Sequence, residues 1–103
     1  MSLIKNPMHP GEFLHDAYME PLELSITKLA EKLDVSQSTL SRLVNKKSDL
    51  SYEMAIKISY VLGRTAESWM NVQMLYSLSE SQKKTTTEKL KKINIHSQNL
   101  SFI

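Results

Sequence analysis

With 103 residues, 41% hydrophobic and 23% charged, the chain has the size and make-up of one small globular domain. It contains no cysteine, which excludes disulfides and thiolate zinc sites, and it has neither an opening secretory signal nor an apolar run near the ~20 residues of a membrane span, so the expected compartment is cytoplasmic. The net charge of +2 is unevenly spread: residues 1–78 hold eight Lys/Arg against nine Asp/Glu, residues 79–103 five against two.

Only two glycines and three prolines stand among many Leu, Lys, Glu, Met and Ala, which favours helix throughout and an all-α fold of five helices. Residues 1–7 have no periodicity and read as a loose leader. Pro10 then opens a helix where its missing N–H costs nothing. Phe13, Leu14, Ala17 and Tyr18 form its apolar stripe, and Pro21 stops it. His9 and His15 are six apart, which is not a metal-ligand spacing on a helix, and both are expected half-exposed on the surface. Leu22 and Leu24 anchor the connection that follows.

From Ser25 to Lys47 the pattern is two short helices joined by an abrupt corner. Ser25 caps the first, whose buried stripe contains Leu29, Ala30 and Leu33. Alanine at Ala30 lets a second helix cross closely. Asp34 and Val35 make the corner; aspartate enters the left-handed region more readily than most residues. Ser36 caps the second helix, with Leu40, Leu43 and Val44 on its core side. Gln37, Ser38, Ser41, Arg42 and Asn45 line the opposite stripe, which carries hydrogen-bonding ends, one guanidinium and no acid. Such a stripe suits the major groove of DNA, so these five are candidate base readers. Thr27, Lys28, Thr39, Lys46 and Lys47 flank it as candidate phosphate contacts.

Ser48–Leu50 is a loop and Ser51 the next cap, with Leu50 and Ala55 placed as a hydrophobic staple. The fourth helix runs through Ile58, Val61 and Leu62 to a left-handed cap at Gly63. Thr65 caps a fifth helix over 66–78 with an unusually broad apolar surface: Trp69, Val72 and Tyr76 on one strip, Met70 and Met74 on another, then Leu75 and Leu78. One strip suffices to close a small core, so this helix is expected to form a homodimer interface. Residues 79–103 are polar and basic, a tail expected to be disordered or ordered on binding, with a short helix around Thr87–Ile93 and contacts from Ile95, Leu100, Phe102 and Ile103 as further options. Glu12, Asp16 and Glu20 fall at four-residue spacing on the first helix, so they share one face apart from the base-reading stripe. No metalloprotease motif, phosphate loop or nucleophile elbow is present, so the reading is of a non-enzyme that calls for no cofactor or metal.

Ala30, Leu33, Val35, Leu40 and Leu43 resemble the pattern of the repressor-like helix-turn-helix group, often called the XRE or lambda-repressor-like domain, with Asp34 where glycine is usual. The flanking His9-Pro10-Gly11-Glu12 and Trp69-Met70-Asn71-Val72-Gln73 narrow the likeness over residues 8–78 to the HigA antitoxins, also called VapI-like. That resemblance implies a dimer that binds double-stranded DNA at an inverted-repeat operator, represses its own operon and neutralises a HigB-type mRNA endonuclease. Since such toxins are commonly small and basic, it makes the acidic strip of Glu12, Asp16 and Glu20 the candidate toxin-docking face. A free-standing regulator without a toxin, and an interaction module that no longer reads DNA, stay open.

Overall fold

The computed structural model describes residues 6–95; the expectations for 1–5 and for Leu100, Phe102 and Ile103 lie outside them. Five helices, with no strand among the described residues, build the fold: α1 (Pro10–Leu14), α2 (Ile26–Leu33), α3 (Gln37–Val44), α4 (Tyr52–Leu62) and α5 (Ala66–Lys84). Among those residues no helix is long and apolar enough to cross a membrane. α2 and α3 form the corner unit; α1 lies on α3 and α5, and α4 packs between α2 and α5. Leu14, Leu29, Leu40, Ile58 and Trp69 fill the centre.

Four helices begin as the sequence dictates. The hydroxyls of Ser25, Ser36, Ser51 and Thr65 accept from the backbone amides of Lys28, Thr39, Met54 and Ser68 at 3.0–3.1 Å, each meeting an amide that the helix leaves unpartnered. Three helical segments end by one device. The amides of Leu24, Val35 and Lys47 donate to carbonyls five residues back, those of Met19, Ala30 and Arg42. In each case the preceding residue, Glu23, Asp34 or Lys46, is left-handed, with φ of 54°, 56° and 63°. This is the Schellman closure, normally supplied by glycine. With two glycines in the whole chain, charged residues hold three of these positions.

α1 departs from the expected regular helix. After Leu14 the chain winds into a π-turn over His15–Met19, closed by the Glu20 amide on the His15 carbonyl at 2.9 Å. The wider turn rotates later side chains away from α-helical phase. Ala17, expected in the core, is exposed, and Met19 is buried instead. Glu12, Asp16 and Glu20 therefore do not share one ideal helical face.

His9 is corrected from a surface residue to a core one. It is only 3% exposed, its Nδ1 accepts from the Gly11 amide at 2.9 Å, and its ring meets Tyr76 edge-on at 4.9 Å. His15 stays on the surface beside Asp16. Burial pushes the His9 pKa below the ordinary imidazole value, against the opposing pull of Asp49 and the Ser48 backbone. A base whose folded pKa is lowered adds its full stability above the unfolded value and loses it as pH falls below that. Thermal unfolding temperature should thus fall as pH drops below about 6.5. His9→Asn keeps a capping oxygen without the titration and should remove part of that slope. Equal slopes for the two proteins would refute the linkage.

Candidate nucleic-acid interface

α3 is held from behind by buried Leu40 and Leu43 and packs on α2, on which Ala30 is buried. Gln37, Ser38, Arg42 and Asn45 are exposed on its outer side, and Ser41 is half-buried. Their freedom differs. Asn45 folds back, its amide donating to the Ser41 carbonyl at 2.9 Å and hydroxyl at 3.1 Å, so part of it closes the helix. Ser38 lies 3.3 Å from the Ser36 hydroxyl. Gln37 and Arg42, the two long side chains, make no side-chain hydrogen bond among the described residues and remain available for base edges.

The phosphate candidates divide in the same way. Thr27 and Lys28 are exposed in the first turn of α2, and Lys47 is exposed just past α3. Neither α2 nor α3 has an acid in its first turn, whereas α1, α4 and α5 carry Glu12, Glu53 and Glu67 there. The positive ends of α2 and α3 are thus left for an external anion. Thr39 points elsewhere: its hydroxyl accepts from Ser36 at 2.8 Å, and it lines a cleft with Val35, Met54 and Lys57 towards α4. Lys46 lies 3.9 Å from Glu12, which offsets part of its charge.

That contact corrects the placement of the acidic strip. Glu12, His15 and Asp16 line one cleft with Val44, Asn45 and Lys46, so two of the three acids sit beside the far end of α3 rather than apart from it. Glu20 lies beyond, exposed in the turn before α2.

Two residues that composition alone did not mark position α3. Gly11 lies so close to α3 that a Cβ there would overlap the Leu43 carbonyl oxygen and stand 2.6 Å from its carbon. Gln73 is buried on α5. Its Oε1 accepts from the Leu50 amide at 2.6 Å, and its Nε2 donates to Ser77 at 2.8 Å and Asp49 at 3.3 Å. It pins the loop that leaves α3. A glycine inside a helix, at about 1 kcal/mol below alanine in propensity, was one signal for the first. Both residues also stand in the flanking segments 9–12 and 69–73 that carry the family resemblance, but the long-range contacts they make could not be read from it.

Trp69 is likewise internal. It is 0% exposed, packed edge-on against Phe13 at 5.4 Å, with its indole N–H donating to the Gly63 carbonyl at 3.1 Å. It belongs to the monomer core, not to a surface that a second copy can meet. Val72, Leu75 and Tyr76 are half-buried, Tyr76 against His9. Met74 and Leu78 are exposed and Met70 half-exposed. α4 adds what was missed: Tyr52 (77% exposed), Ile56 and Tyr60 (88% exposed) stand at four-residue spacing, and Tyr52 and Ile56 share an apolar groove with Ala66 and Met70 of α5.

The helix-turn-helix family profile matches residues 17–69. The chain belongs to the helix-turn-helix family, in its XRE-type, repressor-like branch. It is similar to virulence-associated protein A of Dichelobacter nodosus, 45% identical over 80 residues that cover 77% of this chain and 78% of that one. Antitoxin HigA-1 of Vibrio cholerae is 32% identical over 84 residues, 82% of this chain and 79% of the relative. Among solved structures, Pseudomonas aeruginosa antitoxin HigA with the higBA promoter superposes with a TM-score of 0.73 at 35% identity, covering 76% of this chain and 85% of that one. The expectation of an all-α, repressor-like fold is met.

Proposed function

We propose that this protein is a sequence-specific DNA-binding antitoxin of a type II toxin–antitoxin system. As a homodimer it represses its own operon at an inverted-repeat operator, and it neutralises a HigB-type mRNA-cleaving toxin by direct binding. The observation that carries the DNA half is the exposed, acid-free stripe of α3, where Gln37 and Arg42 stand free above a buried support. A HigA of the same fold has been solved with promoter DNA, which supports the same reading. Gln37 is assigned to adenine and Arg42 to guanine, the bidentate pairings their end groups allow. Ser38, Ser41 and Asn45 fill the remaining stripe, while Thr27, Lys28 and Lys47 hold phosphates.

Arg42→Ala should weaken binding to the DNA upstream of the protein's own coding sequence by roughly 1–3 kcal/mol, with little effect on scrambled DNA. Lys47→Ala should weaken both alike and flatten the salt dependence. Titrations of both variants on both DNAs decide the assignment; equal losses for Arg42→Ala on the two duplexes would make it a phosphate contact.

For the toxin, the proposed docking face is Glu12, Asp16 and Glu20, through charge complementarity. Because Glu12 and Asp16 border Asn45 and Lys46, toxin capture and operator binding are expected to influence each other. Co-expression with the product of the adjacent reading frame tests this. Capture that survives reversal of all three acids to lysine moves the contact elsewhere, and no capture at all favours the alternative, a free-standing regulator.

A further inference from the structure

The helix-turn-helix body supplies no net positive charge, since residues 1–78 hold one more acid than base. Sequence-independent affinity for a duplex comes from Lys and Arg that neutralise phosphates and release counterions. The chain carries a second supply of such cations outside its core. From Ser81 to Ile95 every residue is exposed, and this stretch contains Lys83, Lys84, Lys89, Lys91 and Lys92 with Glu88 as its one acid. Lys83 is engaged with Glu80 at 2.9 Å. The other four have no carboxylate within ion-pair distance among the described residues.

The path of α5 determines where these lysines emerge. Gln73 hydrogen-bonds Leu50 and Asp49, and Tyr76 packs on His9, itself against the Ser48 backbone. The helix therefore leaves the core past the loop that follows α3 and carries Lys47. It then continues to Lys84, seven residues and about 10 Å beyond Ser77 at 1.5 Å per residue. Residues 85–95 are irregular except for one turn closed by the Leu90 amide on Thr87. Fully extended, these eleven residues reach roughly 36 Å, comparable with the ~34 Å of one DNA turn.

We infer that residues 83–95 form a basic arm that follows the phosphate backbone flanking the site entered by α3. The inference rests on the DNA-binding reading above and adds a non-specific, salt-sensitive contact to it. Phosphate contacts carry no sequence information, so the arm raises affinity for every duplex long enough to reach beyond the bare operator. Leu90, Ile93 and Ile95 are exposed on the same stretch and contribute nothing to such contacts; an arm made for a protein partner is the outcome that overturns the proposal.

The test compares the full-length parent with K89S/K91S/K92S, changes confined to exposed positions, on upstream and scrambled duplexes with short or long flanks. On long duplexes the triple variant should lose roughly 10–100-fold in affinity at 100 mM salt, and the slope of log K against log salt should shrink by about 2–3. Both DNAs should be affected alike, the difference should vanish on short duplexes, and the triple Lys→Arg variant should bind as the parent does. An unchanged slope and affinity on long duplexes overturns the arm while leaving α3's role intact. A parent that does not distinguish upstream from scrambled DNA at any flank length sinks the DNA-reading assignment instead.

Discussion

Replacing Gly11 with alanine is expected to destabilise the domain by about 3 kcal/mol or more, at or above the top of the ~1–3 kcal/mol that overpacking typically costs, because the neighbour is backbone. The added methyl would overlap the Leu43 carbonyl and approach its carbon to 2.6 Å and the Val44 Cα to 3.0 Å. These are backbone atoms of α3, so no side chain can rotate away, and relief requires α1 to lift from α3. Lifting α1 uncovers Leu14, unseats the His9 cap and loosens Phe13 from Trp69. Helix propensity acts in the opposite direction, favouring alanine by about 1 kcal/mol, and is too small to compensate. Thermal denaturation should show a midpoint lowered by roughly 10 °C or more. A midpoint within about 3 °C of the parent would mean that the two helices separate at little cost.

The second large effect concerns assembly. Tyr52, Ile56 and Tyr60 on α4 and Met74 and Leu78 on α5 are exposed, and Tyr52 and Ile56 share an apolar groove with the half-exposed Met70; exposed apolar side chains grouped in this way mark an interaction surface. With Trp69 withdrawn into the core, this two-helix face is the proposed dimer surface. Ile56→Glu combined with Met74→Glu places charges on it at positions already exposed, so the monomer fold should be retained. Light scattering should then give 11.8 kDa in place of twice that mass. Binding to an inverted-repeat operator should fall by about 10²–10⁴-fold, because the second half-site is no longer held at high effective concentration. A parent that is monomeric at micromolar concentration would remove the twofold argument; a variant that stays dimeric would place the interface on another face.

What the sequence determined by itself was most, though not all, of what is decided within about five residues. The caps at Ser25, Ser36, Ser51 and Thr65 bridge three positions. The Asp34 corner, with φ 56° and ψ 50°, and the stripes of α2 and α3 are equally local, and so the candidate DNA-facing helix was legible with its polar stripe intact. The tertiary structure decided what depends on partners distant in the chain. The π-turn at His15–Met19 moved Ala17 out and Met19 in, a shift of phase that composition does not encode. Helix α5 ran to Lys84 instead of ending near Leu78, and the helix expected around Thr87–Ile93 is a single turn in an exposed segment. His9 and Gln73 are polar and sit inside because Gly11, Leu50 and Ser77 supply their hydrogen bonds. Trp69 turned inward because Phe13 and Tyr18, some fifty residues earlier, meet it there. A polar or aromatic side chain takes its place according to whether another segment can satisfy and cover it, and only packing brings that segment near.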